Sequence, residues 1–236
     1  MVITPDATVA DIATANPATI AVFQQHHIDF CCGGRQPLAQ VCADRGLDPD
    51  LLVTQLVAAA TPAAAEPSLA DATLSTLIAH IQTRYHAHLR SELPRLDAML
   101  DKLVFKHGDH LPEVLLPLQQ TYKSLVEELL EHMSKEDEVV FPMIEALERA
   151  PNVTADAIGV LSAPMSVLTE EHQAAGDALA AMRRLTKGFA PPEWACPTFR
   201  GLYFGLAQLE TDMHLHVHLE NHILFPRAAM LARQRL

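Results

Sequence analysis

Apolar residues recur along this chain at intervals of three and four, the spacing that places them on one side of an α-helix. Between about 72 and 106, Leu74, Leu77, Ile78, Ile81, Tyr85 and Leu89 share such a face. A second long helix is predicted from about Pro112 to Glu148. A third should start near Ser162-Ala163-Pro164 and end before Gly188, and a fourth should run from near Pro197 to about Arg233. Pro94 and Pro142 should kink the first and second, and Pro226 should interrupt the fourth, because proline lacks an N–H and crowds the carbonyl four residues back. Long helices joined by short Pro/Gly loops predict an all-α fold, an antiparallel four-helix bundle.

The pattern is shorter upstream. Asn16-Pro17 supplies an N-cap with proline at the first helical position, and Ile20, Phe23 and Gln24 continue at helical spacing. Cys31-Cys32-Gly33-Gly34 reads as a turn. A helix over about 37–45 should stop at Gly46, and Asp48-Pro49 should open another that ends in the alanines at 58–60. Residues 61–70, with two prolines and no apolar period, read as a linker. The expected organisation is a small helical unit at 1–60, the linker, and the bundle at 71–236.

Composition narrows the function classes. Leu and Ala dominate and aromatics make up only 5%, which favours helix over strand. No apolar run is long enough for a transmembrane helix, and the first residues lack the basic and apolar stretches of a secretory signal, so a cytoplasmic location is the default. A formal charge of −12 weighs against nucleic acid and anionic membrane as partners. Four cysteines are too few for a disulfide scaffold, and adjacent Cys31 and Cys32 would pair only under strain.

Histidine is the anomaly. The 13 histidines outnumber the 8 Phe, 3 Tyr and 1 Trp together. They also fall into an internal repeat. His132-Met-Ser-Lys-Glu136 is followed by Phe141-Pro142, and His216-Val-His-Leu-Glu220 by Phe225-Pro226 at the same offset. A lone histidine precedes each: His86 before His132, and His172 before His216. Residues i and i+4 lie one above the other on a helix, so each His–Glu pair aims a nitrogen and a carboxylate in one direction. Two such helices side by side, with His86 and His172 from the other two, would form a shell of four nitrogens and two carboxylates. That shell suits iron or manganese better than structural zinc or calcium. If Glu136 and Glu220 both bridge, the protein supplies about eight of the roughly twelve bonds that two octahedral ions need, leaving room for a bridging oxygen and for O2, NO or peroxide. Buried glutamates also require a compensating cation.

The remaining histidines read as surface or outer positions: His214, His218 and His222 on the last helix, and His80, His88, His107 and His110. Spacing alone leaves His88 as a rival to His86. Cys31 and Cys32 are either a reactive pair, with a thiol pKa lowered near a glycine turn and a helix start, or simply buried small residues. Cys42 and Cys196 are isolated and expected to be inert.

The chain resembles the iron–sulfur cluster repair di-iron proteins, the Repair of Iron Centers family, over nearly its whole length. Asp29-Phe30-Cys31-Cys32-Gly33-Gly34 is similar to the hallmark of that family's N-terminal domain. Arg84-Tyr85-His86, His132-Met-Ser-Lys-Glu136, Glu171-His172 and His216-Val-His-Leu-Glu220-Asn221 with Leu224-Phe225-Pro226 are similar to its hemerythrin-like domain. The resemblance implies two non-haem, oxo-bridged iron ions on His86, His132, His172 and His216 with Glu136 and Glu220 bridging, and it favours His86 over His88. It implies repair of clusters damaged by nitric oxide or oxidants, with damaged iron–sulfur proteins as clients, NO or O2 as small ligands, and Cys31 and Cys32 docking on or exchanging ligands with the client. Direct reduction of NO or peroxide, and sensing of O2, NO or iron, are the alternatives. The N-terminal unit would either form a homodimer or fold onto the bundle's site.

Overall fold

The computed structural model describes residues 3–60, 69–152 and 154–236. Residues 61–68 of the expected linker lie outside the described residues. Eleven α-helices and no strand are found among the described residues. The first four, α1 (Val9–Ala15), α2 (Ile20–Gln25), α3 (Leu38–Arg45) and α4 (Pro49–Ala59), form the N-terminal unit. The rest assemble into four rods. The first joins α5 (Leu74–Ile81) to α6 (Ala87–His107), and the second joins α7 (Pro112–Lys135) to α8 (Phe141–Arg149). The third is α9 (Ala155–Leu185) alone, and the fourth joins α10 (Pro197–Leu219) to α11 (Phe225–Gln234).

Local chemistry explains most boundaries. Asp48 accepts the Asp50 and Leu51 N–H groups to open α4, and Gly46 closes α3 at φ 64°, as the sequence predicts. Helix α1 escapes the periodicity because it has only seven residues; its signal is Thr8, whose hydroxyl caps the Asp11 N–H. Glu148, on α8, accepts the Leu74 and Ser75 N–H groups at 2.7 and 3.0 Å, so one rod caps the start of another.

The bundle core is divided. Near one end, Leu89, Leu93, Leu96, Leu118, Tyr122, Leu179, Phe199 and Leu206 belong to one buried cluster. Leu77, Ile81, Phe141, Ile144, Leu168, Leu224 and Phe225 belong to another near the opposite end. The N-terminal unit has its own, around Phe23, Phe30, Leu38 and Leu56. In chain order the predicted ligands fall between the two bundle clusters, as a polar layer across an apolar interior.

One expectation about the rods is corrected. Helix α9 starts at Ala155, well before Ser162, and carries Pro164 in its interior. Helix α6 runs through Pro94 without interruption. Among the described residues, the rods depart from α geometry at three π turns, Gln82–His86, Glu136–Val140 and Glu220–Leu224, closed by bonds from Ala87, Phe141 and Phe225 N–H to carbonyls five residues earlier. Two of these turns precede Pro142 and Pro226. The third has no proline after it, so the widening goes with the predicted ligands and not with proline alone.

Close approach of α10 to α6 depends on Gly205, where a Cβ would collide with the packed side chain of Leu96. Gly205→Ala is expected to cost about 1–3 kcal/mol through overpacking, measured as a lower urea midpoint at unchanged slope.

Candidate metal centre

All four rods deliver polar groups to the layer between the clusters. His132 and His216 lie in the last turn of α7 and α10, Glu136 and Glu220 open the π turns that follow, His86 closes the first π turn, and His172 comes from α9. All six are buried, His86, Glu136, His216 and Glu220 completely. They form two sets, His86–His216 and His132–His172, and each set contains both Glu136 and Glu220 with donor atoms within 4.8 Å of one another. His88 is instead exposed, with Nε2 3.7 Å from Asp212.

The geometry within each set is that of ligands around a shared centre. His86 and His216 bring their Nε2 atoms to 3.1 Å, and His132 and His172 bring theirs to 2.9 Å. Two nitrogens at right angles around one ion, bonded at about 2.1 Å, would be about 3 Å apart. The carboxylates span the sets. Glu136 places Oε2 3.3 Å from His86 Nε2 and Oε1 3.3 Å from His132 Nε2. Glu220 places Oε1 2.9 Å from His216 Nε2 and Oε2 3.2 Å from His172 Nε2. Both Glu136 oxygens and Glu220 Oε2 are buried without a hydrogen-bond partner. Orphaned carboxylate oxygens in an apolar core are costly unless a cation takes them up. The buried His/Glu cluster suits a non-haem di-iron site.

The outer nitrogens set the direction of the rings. Nδ1 of His86 meets Asp137 Oδ1 at 2.9 Å, Nδ1 of His132 meets Glu171 Oε2 at 2.8 Å, and Nδ1 of His172 meets Asn221 Oδ1 at 2.9 Å. Each acceptor fixes the Nδ1–H tautomer and leaves the Nε2 lone pair facing inward. Asp137 is held in turn by Arg90 and Gln82, and Glu171 by Lys135. Phe141 stacks on His86 and Phe225 on His172, which gives the repeated Phe-Pro a role as a wall for the rings.

The sequence is similar to known proteins across both units. A family profile described as "Hemerythrin HHE cation binding domain" matches residues 77–228, and one described as "Domain of Unknown function (DUF542)" matches residues 5–60. The "Iron-sulfur cluster repair protein YtfE" of Yersinia pseudotuberculosis serotype O:1b (strain IP 31758) is 39% identical over 217 residues, covering 92% of this chain and 94% of the relative. The protein of the same name from Yersinia pestis (strain Pestoides F) matches to the same extent. The chain belongs to the family of hemerythrin-like iron–sulfur cluster repair proteins.

The family's cysteine turn lies against the bundle here. Asp29 accepts the N–H groups of Cys31, Cys32 and Gly33 at 2.9, 3.0 and 2.8 Å, and Gly34 has no space for a side chain against the Phe30 carbonyl. The thiols are free, 3.7 Å apart, and Cys32 Sγ donates to the backbone carbonyl of His172 at 3.3 Å. Of the two readings of this pair, a lowered thiol pKa does not fit Cys31. Its hydrogen bond with Cys32, its burial and the charge of Asp29 push that thiol well up.

Two of the histidines read as surface or outer positions hold this turn. His218 is buried; its Nδ1–H donates to the Phe30 carbonyl at 3.0 Å while Nε2 faces the Thr14 hydroxyl at 3.3 Å. His222 Nε2 bonds the Cys31 carbonyl, and His214 meets the Phe30 ring edge-on. The N-terminal unit is therefore folded onto the bundle, the second of its two expected placements. With each lost bond costing about 1 kcal/mol, His218→Leu/His222→Leu should raise the alkylation rate of Cys31 and Cys32 about tenfold or more, followed by mass spectrometry. An unchanged rate would mean that other contacts hold the turn.

Asp137, Glu171, Asn221 and Tyr85 were not read from the sequence as parts of the centre. Each directly adjoins a predicted ligand in the chain, and that adjacency is the available signal. A cavity of 140 Å³ between α7 and α9, lined by Leu125, Leu129, Lys135 and Glu171 among others, reaches His132 and His172. A second, of 440 Å³, is lined by the cysteine turn together with residues of α9 and α10. No described helix is long and apolar enough to cross a membrane.

Proposed function

We propose that this protein repairs iron–sulfur clusters damaged by nitrosative or oxidative stress, giving iron to the damaged cluster or removing NO from it. The observation that carries this reading is the pair of buried His–His sets sharing both glutamates, with a latched dithiol turn beside His172. The names of the relatives point the same way. His86 and His216 would hold one iron, His132 and His172 the other, and Glu136 and Glu220 both. When bound, such a pair supplies redox-active metal with coordination positions left open. The chain supplies the rest: Asp137, Glu171 and Asn221 orient the rings, the two apolar clusters exclude water, and the Asp29 turn presents Cys32 to the cavity through which a client's ligands would reach it. The clients are iron–sulfur proteins of the cytoplasm.

The test is reactivation of a dehydratase whose cluster has been destroyed by NO. Iron-loaded protein should restore activity and the metal-free protein should not. Cys31→Ala/Cys32→Ala should slow the transfer while leaving iron content unchanged. Failure of the loaded wild type would remove the proposal, and full speed in the double variant would remove the thiols from it. The 140 Å³ cavity reaching His132 and His172 favours one second reading, turnover of a small ligand such as NO or peroxide at the centre. With NO and an electron donor, that reading requires N2O over many cycles, where scavenging stops after one.

A further inference from the structure

The centre is built on a local two-fold relation that one pair of residues breaks. The repeat relates His86 to His172, His132 to His216 and Glu136 to Glu220. It also relates Asp137 to Asn221, and both do the same work, accepting Nδ1 of His86 and of His172. Glu171, just before His172, accepts Nδ1 of His132 at 2.8 Å. Its counterpart, just before His86, is Tyr85. Tyr85 stacks on the ring of His216 with centroids 5.4 Å apart and planes 5° from parallel, and it offers Nδ1 no acceptor. His216 Nδ1 is buried with no hydrogen-bond partner.

We propose that the two metal positions are unequal, with the ion on His132–His172 bound at least tenfold more tightly than the ion on His86–His216, because Tyr85 occupies the place of an acceptor. This inference rests on the dinuclear reading of the site given above. An acceptor on the outer nitrogen fixes the tautomer and raises the basicity of the inner one, and its loss typically weakens metal binding by about 10–100-fold. One position has two such acceptors, Glu171 and Asn221. The other has only Asp137. The stacked Tyr85 ring can hold His216 in orientation, but a π-face does not draw on the Nδ1–H as a carboxylate does. The weaker position is the one from which iron leaves first, so Tyr85 marks the ion to be given away and Glu171 the one to be retained.

The experiment is an anaerobic titration of the metal-free full-length protein with ferrous iron against a competing chelator, with anomalous diffraction from crystals grown at one equivalent. The expected result is two dissociation constants at least tenfold apart, with the first ion between His132 and His172. Glu171→Gln, at a partly exposed position where folding is not at stake, should weaken the tighter constant about tenfold and close the gap. Tyr85→Glu should tighten the weaker one, if that variant folds. Two equal constants, a first ion between His86 and His216, or an unchanged tight constant in Glu171→Gln would each overturn the inference alone. Fewer than two ions per wild-type chain would overturn it together with the dinuclear reading.

Discussion

Glu136→Gln or Glu220→Gln should leave the protein unable to retain either metal ion, whereas His86→Gln should still retain one. The contrast follows from connectivity. Each imidazole belongs to one set, but each glutamate belongs to both, with its two oxygens directed to different histidine pairs. Glutamine keeps the volume but removes the charge and one donor atom, so one position loses its ligand, the other keeps only a neutral amide oxygen, and both lose the shared anion. Loss of an outer hydrogen-bond partner already costs about 10–100-fold in affinity; loss of a shared inner carboxylate should exceed that at both positions. Iron analysis after gel filtration, with a thermal melt to confirm folding, decides the matter. A Glu220→Gln protein that keeps two irons would contradict the bridging assignment.

Metal removal should cost more stability than any single surface change. Ligands that bind only the folded state stabilise it by about 4 kcal/mol at a thousandfold excess over Kd, and for a chain of this size each kcal/mol moves Tm by about 2–4 °C. Chelation should therefore lower Tm by roughly 10 °C. The metal-free protein should also become pH-sensitive. Burial pulls the His132 pKa down, but the charge of Glu136 and its hydrogen bond outweigh this and push it up to about 9. A group whose folded pKa lies above its unfolded one contributes stability that is complete below about 6.5 and lost as the pH rises through about 9. The Tm of the stripped protein should thus fall between about pH 7 and pH 9, while that of the loaded protein stays flatter, because metal takes the place of the proton on His132. Loading should release protons, measurable with an indicator dye in weak buffer. A stripped protein whose Tm is level across that range would show that His132 is already neutral in the core.

The amino-acid pattern exposed the centre because its chemistry is local in sequence. His132 with Glu136, and His216 with Glu220, obey the i, i+4 rule within α7 and α10, and the repeat doubles the signal. Spacing alone does not choose between His86 and His88, because the register of the first rod decides which of the two, on nearly opposite sides of the helix, faces inward. Burial separates them, with His86 enclosed and His88 in water. The outer acceptors were not assigned because they act across rods: Asp137 reaches His86 from the second rod, and Glu171 reaches His132 from the third. Periodicity correctly set His218 and His222 off the metal-facing side. It could not reveal that the N-terminal unit covers them, because that contact joins residues about 190 positions apart. Pro164 was read as a helix start, yet it lies inside α9, where packing of a long amphipathic rod overrides the local penalty.

The π turns give the length of the chain a meaning that residue identity does not carry. Between Glu136 and Phe141 the wider register advances the backbone by one residue more than an α-helix would use. Val139 sits in that stretch with half its side chain in water, so substituting it should change little. Deleting it would let the segment close as ordinary α-helix with everything beyond it nearly in its present direction, because five wide π steps turn the chain about as far as four α steps of about 100°. Phe141 would then stay against the face of His86, and Ile144 and Leu147 in the apolar end of the bundle. Relatives that lack this one residue would keep the wall in phase with the ligands by closing the wide turn into an ordinary one.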